Sequence, residues 1–244
     1  MVRTVTDFGM KGKCALLWFL PLLILAAVLV YLLGRYQGRW FHPPGSPPTA
    51  PVTVSREAWG ARPLFLEARE EYGLFDAFTN PEGVLYYPED LSTVLNTIVV
   101  HHSAFPDAGP REVQDLHMDV RGFADVAYHF MIDRDGTIYE GRPINVRGAH
   151  VQGYNTGSVG IVLLGNFNDE YPSPEQLVHL RLLVDYLRYR YDIHYLAGHR
   201  DYPGQSPDGT ECPGDHLYPL LSDLARELGM RYGIGGYVKL DWIP

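Results

Sequence analysis

The amino-acid sequence predicts a mixed α/β domain, with helices packed on a central β-sheet and one transmembrane helix ahead of it. Short β-branched segments alternate with amphipathic helical segments over residues 52–244, which is the pattern of such a domain. Hydrophobic residues make up 46% of the 244 residues and charged residues 20%, as in folded rather than disordered proteins. An uncharged apolar stretch near the N-terminus predicts the transmembrane helix.

That apolar stretch is residues 15–33, which contain no charged side chain. A helix of this length extends roughly 28 Å, close to the hydrocarbon thickness of a bilayer. A cleaved signal peptide is the competing interpretation, but no small-x-small cleavage site follows the stretch. We therefore expect a single-pass, uncleaved signal anchor, with residues 1–14 forming a short cytoplasmic N-terminus.

Residues 34–51 are predicted to be a linker, because five of the ten residues 42–51 are proline. Such a segment cannot form a helix or an interior strand, and it behaves as a semi-rigid spacer. Residues 52–244 then form one domain. The chain has 20 Lys and Arg against 29 Asp and Glu, for a net charge of −9, which argues against a general nucleic-acid-binding protein. The only cysteines, Cys14 and Cys212, do not form a disulfide framework.

The elements of the domain follow from local patterns. β-branched runs indicate buried strands, and Ser173 followed by Pro174 and Gln176 is a typical helix start. Residues 64–92 fit no element and are interpreted as an insertion. The predicted elements are a strand at 95–101, a helix at 111–120, a hairpin of strands 127–132 and 137–140, a strand at 158–164, a helix from 174 to about 191, a strand at 194–197 and a closing helix at 217–228.

Three side chains that can bind zinc follow predicted strands or lie close behind them. His101 ends a buried strand, His199 follows a short strand, and Cys212 comes shortly after His199. Two imidazoles and one thiolate can hold a catalytic zinc ion and leave a fourth position for water. Zinc would deprotonate the thiol and lower the pKa of bound water. Scattered histidines and cysteines are more often ordinary packed side chains, so the spacing alone leaves both interpretations open.

Seven short segments carry more specific information. They are residues 54–62 (VSREAWGAR), 98–104 (IVVHHSA), 127–136 (AYHFMIDRDG), 148–155 (GAHVQGYN), 158–161 (SVGI), 197–201 (AGHRD) and 210–215 (TECPGD). In this order they resemble the peptidoglycan recognition protein family, whose zinc-dependent members are N-acetylmuramoyl-L-alanine amidases related to phage-lysozyme-type amidases. The resemblance covers nearly all of residues 52–229. It implies a mixed sheet packed by helices, with zinc in a surface cleft.

The resemblance also implies roles for individual residues. It implies one Zn²⁺ per chain and places Tyr128 and Thr210 where the family has the groups that stabilise the oxyanion. His150 resembles a substrate-binding residue of the family's groove, and Asn155 is expected either to contact the peptide or to cap the turn before Ser158. The implied zinc ligands are His101, His199 and Cys212.

Other histidines and arginines are expected to be structural or solvated. His102 and His129 neighbour site residues on strands and should point away from them. Arg142 and Arg147 are interpreted as solvated loop residues, with pairing to stem-peptide carboxylates as the alternative. The histidines interpreted as surface or helix-flank residues are His117, His179, His194 and His216.

The resemblance leads to an expected function, with two alternatives. We expect a monomeric zinc amidase that hydrolyses the amide between N-acetylmuramic acid and L-alanine of peptidoglycan. The first alternative is a non-catalytic, membrane-anchored receptor that binds peptidoglycan; it is less favoured because such members typically lose a zinc ligand. The second is hydrolysis of another acyl amide. Because peptidoglycan lies outside the cytoplasmic membrane, the domain is expected to be extracytoplasmic.

Overall fold

A computed structural model of the chain describes residues 47–65, 86–204 and 209–236. In this part of the chain a seven-stranded sheet has the order β1-β4-β3-β5-β2-β6-β7. Only the β3–β4 pair is antiparallel among these strands, and every other neighbouring pair is parallel. The strands are β1 (Thr53–Val54), β2 (Thr97–His102), β3 (Phe130–Ile132), β4 (Ile138–Glu140), β5 (Ser158–Leu163), β6 (Tyr195–Gly198) and β7 (Arg231–Tyr232).

Helices cover both faces of this sheet, so the predicted mixed α/β architecture is confirmed. The long helix α3 and the closing helix α4 pack on one face through a large apolar cluster that includes Val100, Ile161 and Leu183. The opposite face contacts α2 through a smaller cluster around Val113 and Met131. The helices are α1 (Leu91–Val94), α2 (Pro110–Asp115), α3 (Pro174–Tyr191) and α4 (Tyr218–Glu227).

Helix α3 begins where the sequence predicts. The Ser173 hydroxyl accepts a hydrogen bond from the Gln176 amide, and the Gln176 side chain accepts one from the Ser173 amide. This reciprocal cap satisfies two backbone donors that a helix start otherwise leaves without partners. The helix ends at Tyr191, since Asp192 adopts a left-handed conformation with φ of 53°.

Strand β2 separates the two faces residue by residue. Successive side chains of a strand point to opposite faces. Accordingly, Val100 packs in the apolar cluster beneath α3, whereas Val99 packs with Ala197 and Tyr202 on the other face. His101 shares the face of Val99, where its ring contacts those of neighbouring histidines and a tyrosine. The alternation therefore places His101 on the sheet face opposite α3.

The predicted helix at 111–120 is correct only in part. Regular α-helix ends at Asp115, and Leu116–Val120 form a π-helical turn that is closed by a hydrogen bond from the Arg121 amide to the Leu116 carbonyl. This wider turn directs His117 inward, where Nδ1 accepts a hydrogen bond from the Ala127 amide at 3.0 Å. His117 is 3% exposed, so its interpretation as a surface residue is wrong.

Arg142 and Arg147 are buried, at 1% exposure each, rather than solvated. The Arg142 guanidinium donates to the backbone carbonyls of Val126, Asp125 and Arg147. Backbone carbonyls replace water as the hydrogen-bond partners of this charged group. The fold brings these carbonyls near, so residue type alone does not identify them. Arg142 is therefore an internal support for the loops that precede β3 and follow β4.

The last residues of the predicted insertion, 64–92, contact the rest of the domain, and their assignment to an insertion stays a prediction. Tyr87 is buried, and its hydroxyl accepts a hydrogen bond from the Gly157 amide at 3.0 Å. Asp90 caps α1 through the Ser92 amide, so residues 87–92 contribute a buried side chain and a helix cap to the domain. The rest of that prediction, residues 66–85, lies outside the described residues.

The predicted N-terminal segments also lie outside the described residues. These are the cytoplasmic residues 1–14, the membrane anchor 15–33, and all but the last few residues of the linker 34–51. Within 47–65, 86–204 and 209–236, no helix combines the length and the apolar character needed to cross a bilayer.

Candidate functional site

Three side chains from separate elements meet at the carboxyl end of the central strands. His101 belongs to β2, and His199 begins the 3₁₀ turn that follows β6. Because β2 and β6 are parallel neighbours, their ends lie at the same edge of the sheet. Cys212 comes from the loop that leads to α4. The potential ligand atoms of His101, His199 and Cys212 all lie within 4.8 Å of one another.

This donor set fits a zinc ion. The Cys212 sulfur lies 3.5 Å from Nδ1 of His101. Ligands that bind zinc tetrahedrally at about 2.0–2.3 Å are separated by roughly 3.3–3.8 Å. His101 is fully buried, whereas His199 and Cys212 are partly exposed. The cluster is therefore anchored in the sheet on one side and reaches solvent on the other.

Burial sets the charge state of the candidate ligands. Desolvation lowers the pKa of His101 well below its ordinary value, an effect that the neighbouring imidazoles of His199 and His150 increase. Desolvation also raises the pKa of the Cys212 thiol to about 12. At neutral pH the metal-free site thus holds a neutral His101, which is ready to bind a cation, and a protonated thiol that would release its proton on binding.

Hydrogen bonds fix the two loops that carry His199 and Cys212. One carboxylate oxygen of Asp201 accepts from the Gly198 amide at 2.8 Å, and the other accepts from the Tyr218 hydroxyl at 2.5 Å. The Arg200 amide donates to the Cys212 carbonyl at 2.9 Å. These bonds tie the turn of His199 to both α4 and the cysteine loop, so the ligand positions depend on each other.

Tyr128 lies beside the cluster, as the sequence predicts for an active-site residue. Its ring centroid is 4.9 Å from that of His101, and it also packs against His117 and His150. Burial, together with the nearby Cys212, raises the pKa of the phenol above its ordinary value. Tyr128 therefore keeps its proton at neutral pH and is available as a hydrogen-bond donor. Its catalytic role stays a prediction.

Thr210 lies two residues before Cys212, and its hydroxyl oxygen accepts a hydrogen bond from the Cys212 amide at 3.2 Å. This contact caps the turn that presents the thiol. The hydroxyl proton is still free to donate elsewhere, because the bond uses only a lone pair of the oxygen. The prediction that Thr210 stabilises an oxyanion is thus compatible with the local geometry, and it stays a prediction.

His150 and Asn155, predicted to contact substrate, lie beneath the surface at 6% and 2% exposure. Nδ1 of His150 is 3.0 Å from Nε2 of His101. The Asn155 carboxamide oxygen accepts from the amides of His150 and Val151 at 2.7 and 2.8 Å. Asn155 therefore holds the backbone of the His150 loop. A substrate-binding role for either residue stays a prediction.

His102 and His129, which were expected to be structural, each form a hydrogen bond with the backbone. Nδ1 of His102 accepts a hydrogen bond from the Phe167 amide, and Nδ1 of His129 accepts one from the Gly160 amide. Sequence reasoning missed Ser158 and Gly160, which lie against the His150 ring. A signal was present, because a glycine inside a β-branched strand often marks a place where another group approaches closely.

The family model described as N-acetylmuramoyl-L-alanine amidase matches residues 91–215, which include all three candidate metal ligands. The chain belongs to this family. The fold is also that of related structures. A mutant of Drosophila PGRP-LB in complex with tracheal cytotoxin superposes on the chain with a TM-score of 0.55 and 31% identity, covering 70% of this chain and 92% of that one.

Two curated relatives of this amidase-family chain carry different kinds of name. Peptidoglycan-recognition protein LB of Drosophila melanogaster is 38% identical over 137 residues, which are 51% of this chain and 57% of that protein. The N-acetylmuramoyl-L-alanine amidase of Sus scrofa is 31% identical over 148 residues, or 55% of this chain and 24% of that protein. Because the chain spans little more than half of the first and a quarter of the second, their activities are not transferred whole.

Proposed function

We propose that the chain is a zinc-dependent N-acetylmuramoyl-L-alanine amidase. It would hydrolyse the amide that joins the lactyl group of N-acetylmuramic acid to L-alanine of the peptidoglycan stem peptide. The observation that carries this proposal is the convergence of His101, His199 and Cys212 within 4.8 Å, in a member of the amidase family. The related PGRP-LB mutant is in complex with tracheal cytotoxin, a monomeric diaminopimelic acid-type peptidoglycan, which supports a peptidoglycan fragment as the substrate class.

One Zn²⁺ would be held by the two imidazoles and the thiolate, where it would lower the pKa of a bound water and polarise the scissile carbonyl. His101 presents its neutral ring from a buried strand, which limits its movement. Cys212 would bind as the thiolate, and the capped loop keeps its sulfur beside His101. The partly exposed His199 and Cys212 leave the solvent side of the cluster open for substrate.

Tyr128 would stabilise the charge that develops on the carbonyl oxygen. Its phenol keeps its proton because burial raises its pKa, and its ring is held between those of His101 and His117. A donor fixed in this way costs little reorganisation when the oxyanion forms. The Thr210 hydroxyl, whose oxygen accepts a hydrogen bond from the Cys212 amide, would be a second donor.

The experiment that tests this proposal is digestion of purified muropeptides by the full-length chain, with products identified by mass spectrometry. The expected result is release of intact stem peptide from the glycan, and its loss after treatment with a zinc chelator. Restoration by added zinc, but not by magnesium, would separate metal removal from damage to the protein. The Cys212→Ser variant is the matched negative control.

The alternative is a receptor that binds peptidoglycan without cleaving it. This alternative is supported by the relatives that are named as recognition proteins. The retained cysteine and both histidines argue for the enzyme, since a binding protein has no need of a complete ligand set. Retention of muropeptides by the wild-type protein, with no stem peptide released at any zinc concentration, would establish the receptor instead.

The cellular placement is also part of the proposal. Residues 15–33 would anchor the chain as a single-pass membrane protein, and the linker would hold the domain away from the bilayer on the extracytoplasmic side, where peptidoglycan lies. We further propose that the domain acts as a monomer and does not bind nucleic acid, in keeping with its net negative charge.

A further inference from the structure

The buried ring of His150 contacts the candidate ligand His101 on the side away from the thiol. Nε2 of His101 lies 3.0 Å from Nδ1 of His150, while Nδ1 of His101 lies 3.5 Å from the Cys212 sulfur. The two nitrogens of His101 thus have separate partners. A neutral imidazole carries a proton on only one nitrogen, so the partner of Nε2 decides whether Nδ1 has a free lone pair.

Ser158 determines the direction of these hydrogen bonds. Its hydroxyl oxygen is 3.0 Å from the carbonyl oxygens of both Tyr154 and Asn155, and 3.4 Å from Nε2 of His150. Carbonyl oxygens only accept hydrogen bonds, so the single hydroxyl proton points to them and the oxygen turns a lone pair towards His150. Nε2 of His150 is therefore the protonated nitrogen, and its Nδ1 is an acceptor.

From these hydrogen bonds we propose that His150 is a positioning residue that accepts a hydrogen bond from Nε2 of His101. Nδ1 of His101 is thereby left unprotonated and can bind the metal. The inference rests on the metal site of the proposed function. Histidine ligands of metals usually donate their second N–H to a carboxylate or a backbone carbonyl, and this arrangement fixes both tautomer and ring orientation. Here a second imidazole, oriented by Ser158, takes that place.

Two glycines make room for the His150 ring. A Cβ atom added at Gly160 would lie 2.6 Å from Cδ2 of His150, and one added at Gly148 would lie 2.5 Å from the same atom. Both distances are far below a van der Waals contact, so any larger residue at either position would displace the ring. The backbone of His150 is fixed as well, because its amide donates a hydrogen bond to the Asn155 carboxamide oxygen. The ring is thus held in one place by features that do not involve a metal.

A matched pair of variants tests the acceptor role. In His150→Asn the carboxamide oxygen can take the position of Nδ1 and accept from His101, whereas the similarly shaped leucine of His150→Leu cannot. We expect the zinc dissociation constant, measured by competition with a chelator on the full-length protein, to rise about 10- to 100-fold in His150→Leu and by less than about threefold in His150→Asn. Equal weakening in the two variants would overturn the proposal.

The tautomer itself is measured without metal. Nitrogen-15 NMR of the metal-free full-length protein should show both His101 and His150 protonated at Nε2 and unprotonated at Nδ1. A wild-type His101 protonated at Nδ1 would overturn the proposal. A wild-type protein that binds no zinc, but shows the expected tautomer, would refute the proposed metal site and leave the hydrogen-bond order intact.

Discussion

At the scale of single residues, the candidate site combines side chains whose chemistry is set by burial. His101 and Cys212 are both shifted by desolvation towards their neutral forms, and Tyr128 is shifted further into its protonated form. A neutral imidazole is a ligand, and a protonated phenol is a donor. Burial thus prepares each group for a different task without any of them carrying charge before a cation binds.

We predict that Tyr128→Phe lowers the rate of muropeptide hydrolysis by about 10²–10³-fold, the usual effect of removing one donor to an oxyanion. The ring remains, so its packing against His101 and the zinc content should be unchanged. Rates and metal content are measured together. Tyr139→Phe is the matched control, because the Tyr139 hydroxyl donates to Asp133 instead of belonging to the site. Near-normal turnover of Tyr128→Phe would assign this tyrosine to packing alone.

Cys212→Ser is expected to abolish hydrolysis and to leave the protein folded. A serine hydroxyl stays protonated at neutral pH and binds zinc poorly, so two imidazoles would hold the metal weakly. Zinc content by elemental analysis should fall well below one ion per chain, while muropeptide binding persists in part. If the variant instead kept full zinc occupancy and normal turnover, Cys212 would be a small packing residue and not a ligand.

Single residues also show what the sequence could and could not predict. His101, His199 and Cys212 were identifiable because few residue types bind zinc and each lies in a recognisable local segment. The burial of Arg142 and His117 was not identifiable, since their partners are backbone carbonyl and amide groups that only the folded chain brings near. Likewise, the contact between His150 and His101 joins residues 49 apart in sequence, and no local pattern encodes it.

At the scale of elements, prediction succeeded where local chemistry decides the structure. Helix α3 has its own cap, and the hairpin of β3 and β4 has its own turn. Prediction failed where tertiary contacts determine the local structure. The π-helical turn after α2 keeps the apolar spacing of an ordinary helix, so periodicity does not reveal it. The edge strands β1 and β7 consist of two residues each, too short to show an alternating pattern.

The buried histidines that support these elements predict acid sensitivity. Burial lowers the pKa of His117 to about 3 and that of His129 to about 4, from 6.5. The unfolded chain therefore takes up protons near pH 6.5, whereas the folded chain does not until pH 3–4. The contribution of these two histidines to stability is fully present above pH 6.5. As the pH falls from 6.5 to about 4, each of them lowers the free energy of unfolding by roughly 1.4 kcal/mol per pH unit.

Urea unfolding between pH 7.5 and pH 4.5 measures this effect, with two variants for comparison. His129→Asn retains an oxygen that can accept from the Gly160 amide but removes the titrating ring, so its unfolding free energy should fall less steeply with acid. His194→Asn removes an exposed histidine and should follow the wild-type curve. Parallel curves for wild type and His129→Asn would contradict the assignment of acid sensitivity to the buried ring.

At the scale of the whole molecule, residues 53–59 are bound into the domain by strand pairing, a hydrogen bond and an ion pair. Strand β1 pairs with β4, and the Trp59 indole donates to the Glu140 carbonyl at 2.8 Å. Arg56 forms an ion pair with the buried Asp125 at 2.8 Å. The domain therefore needs its chain from about residue 53 onward, while every site residue lies beyond that point. Catalysis and membrane attachment should then be separable.

We predict that a chain lacking residues 1–46 is soluble and hydrolyses muropeptides at the full-length rate, because it keeps β1, the Arg56–Asp125 pair and all ligands.

The full-length chain should instead remain with membranes after a high-salt wash, since screening weakens charge attraction but does not release a buried apolar helix. Leu25→Arg with Leu29→Arg is the matched test of the anchor, as each charge near the centre of a span costs about 2.5–3.5 kcal/mol. This double variant should lose membrane attachment and retain activity. If expression of the full-length chain gives soluble protein of reduced size, the N-terminal segment is cleaved. If it gives soluble protein of full size, residues 15–33 do not anchor the chain.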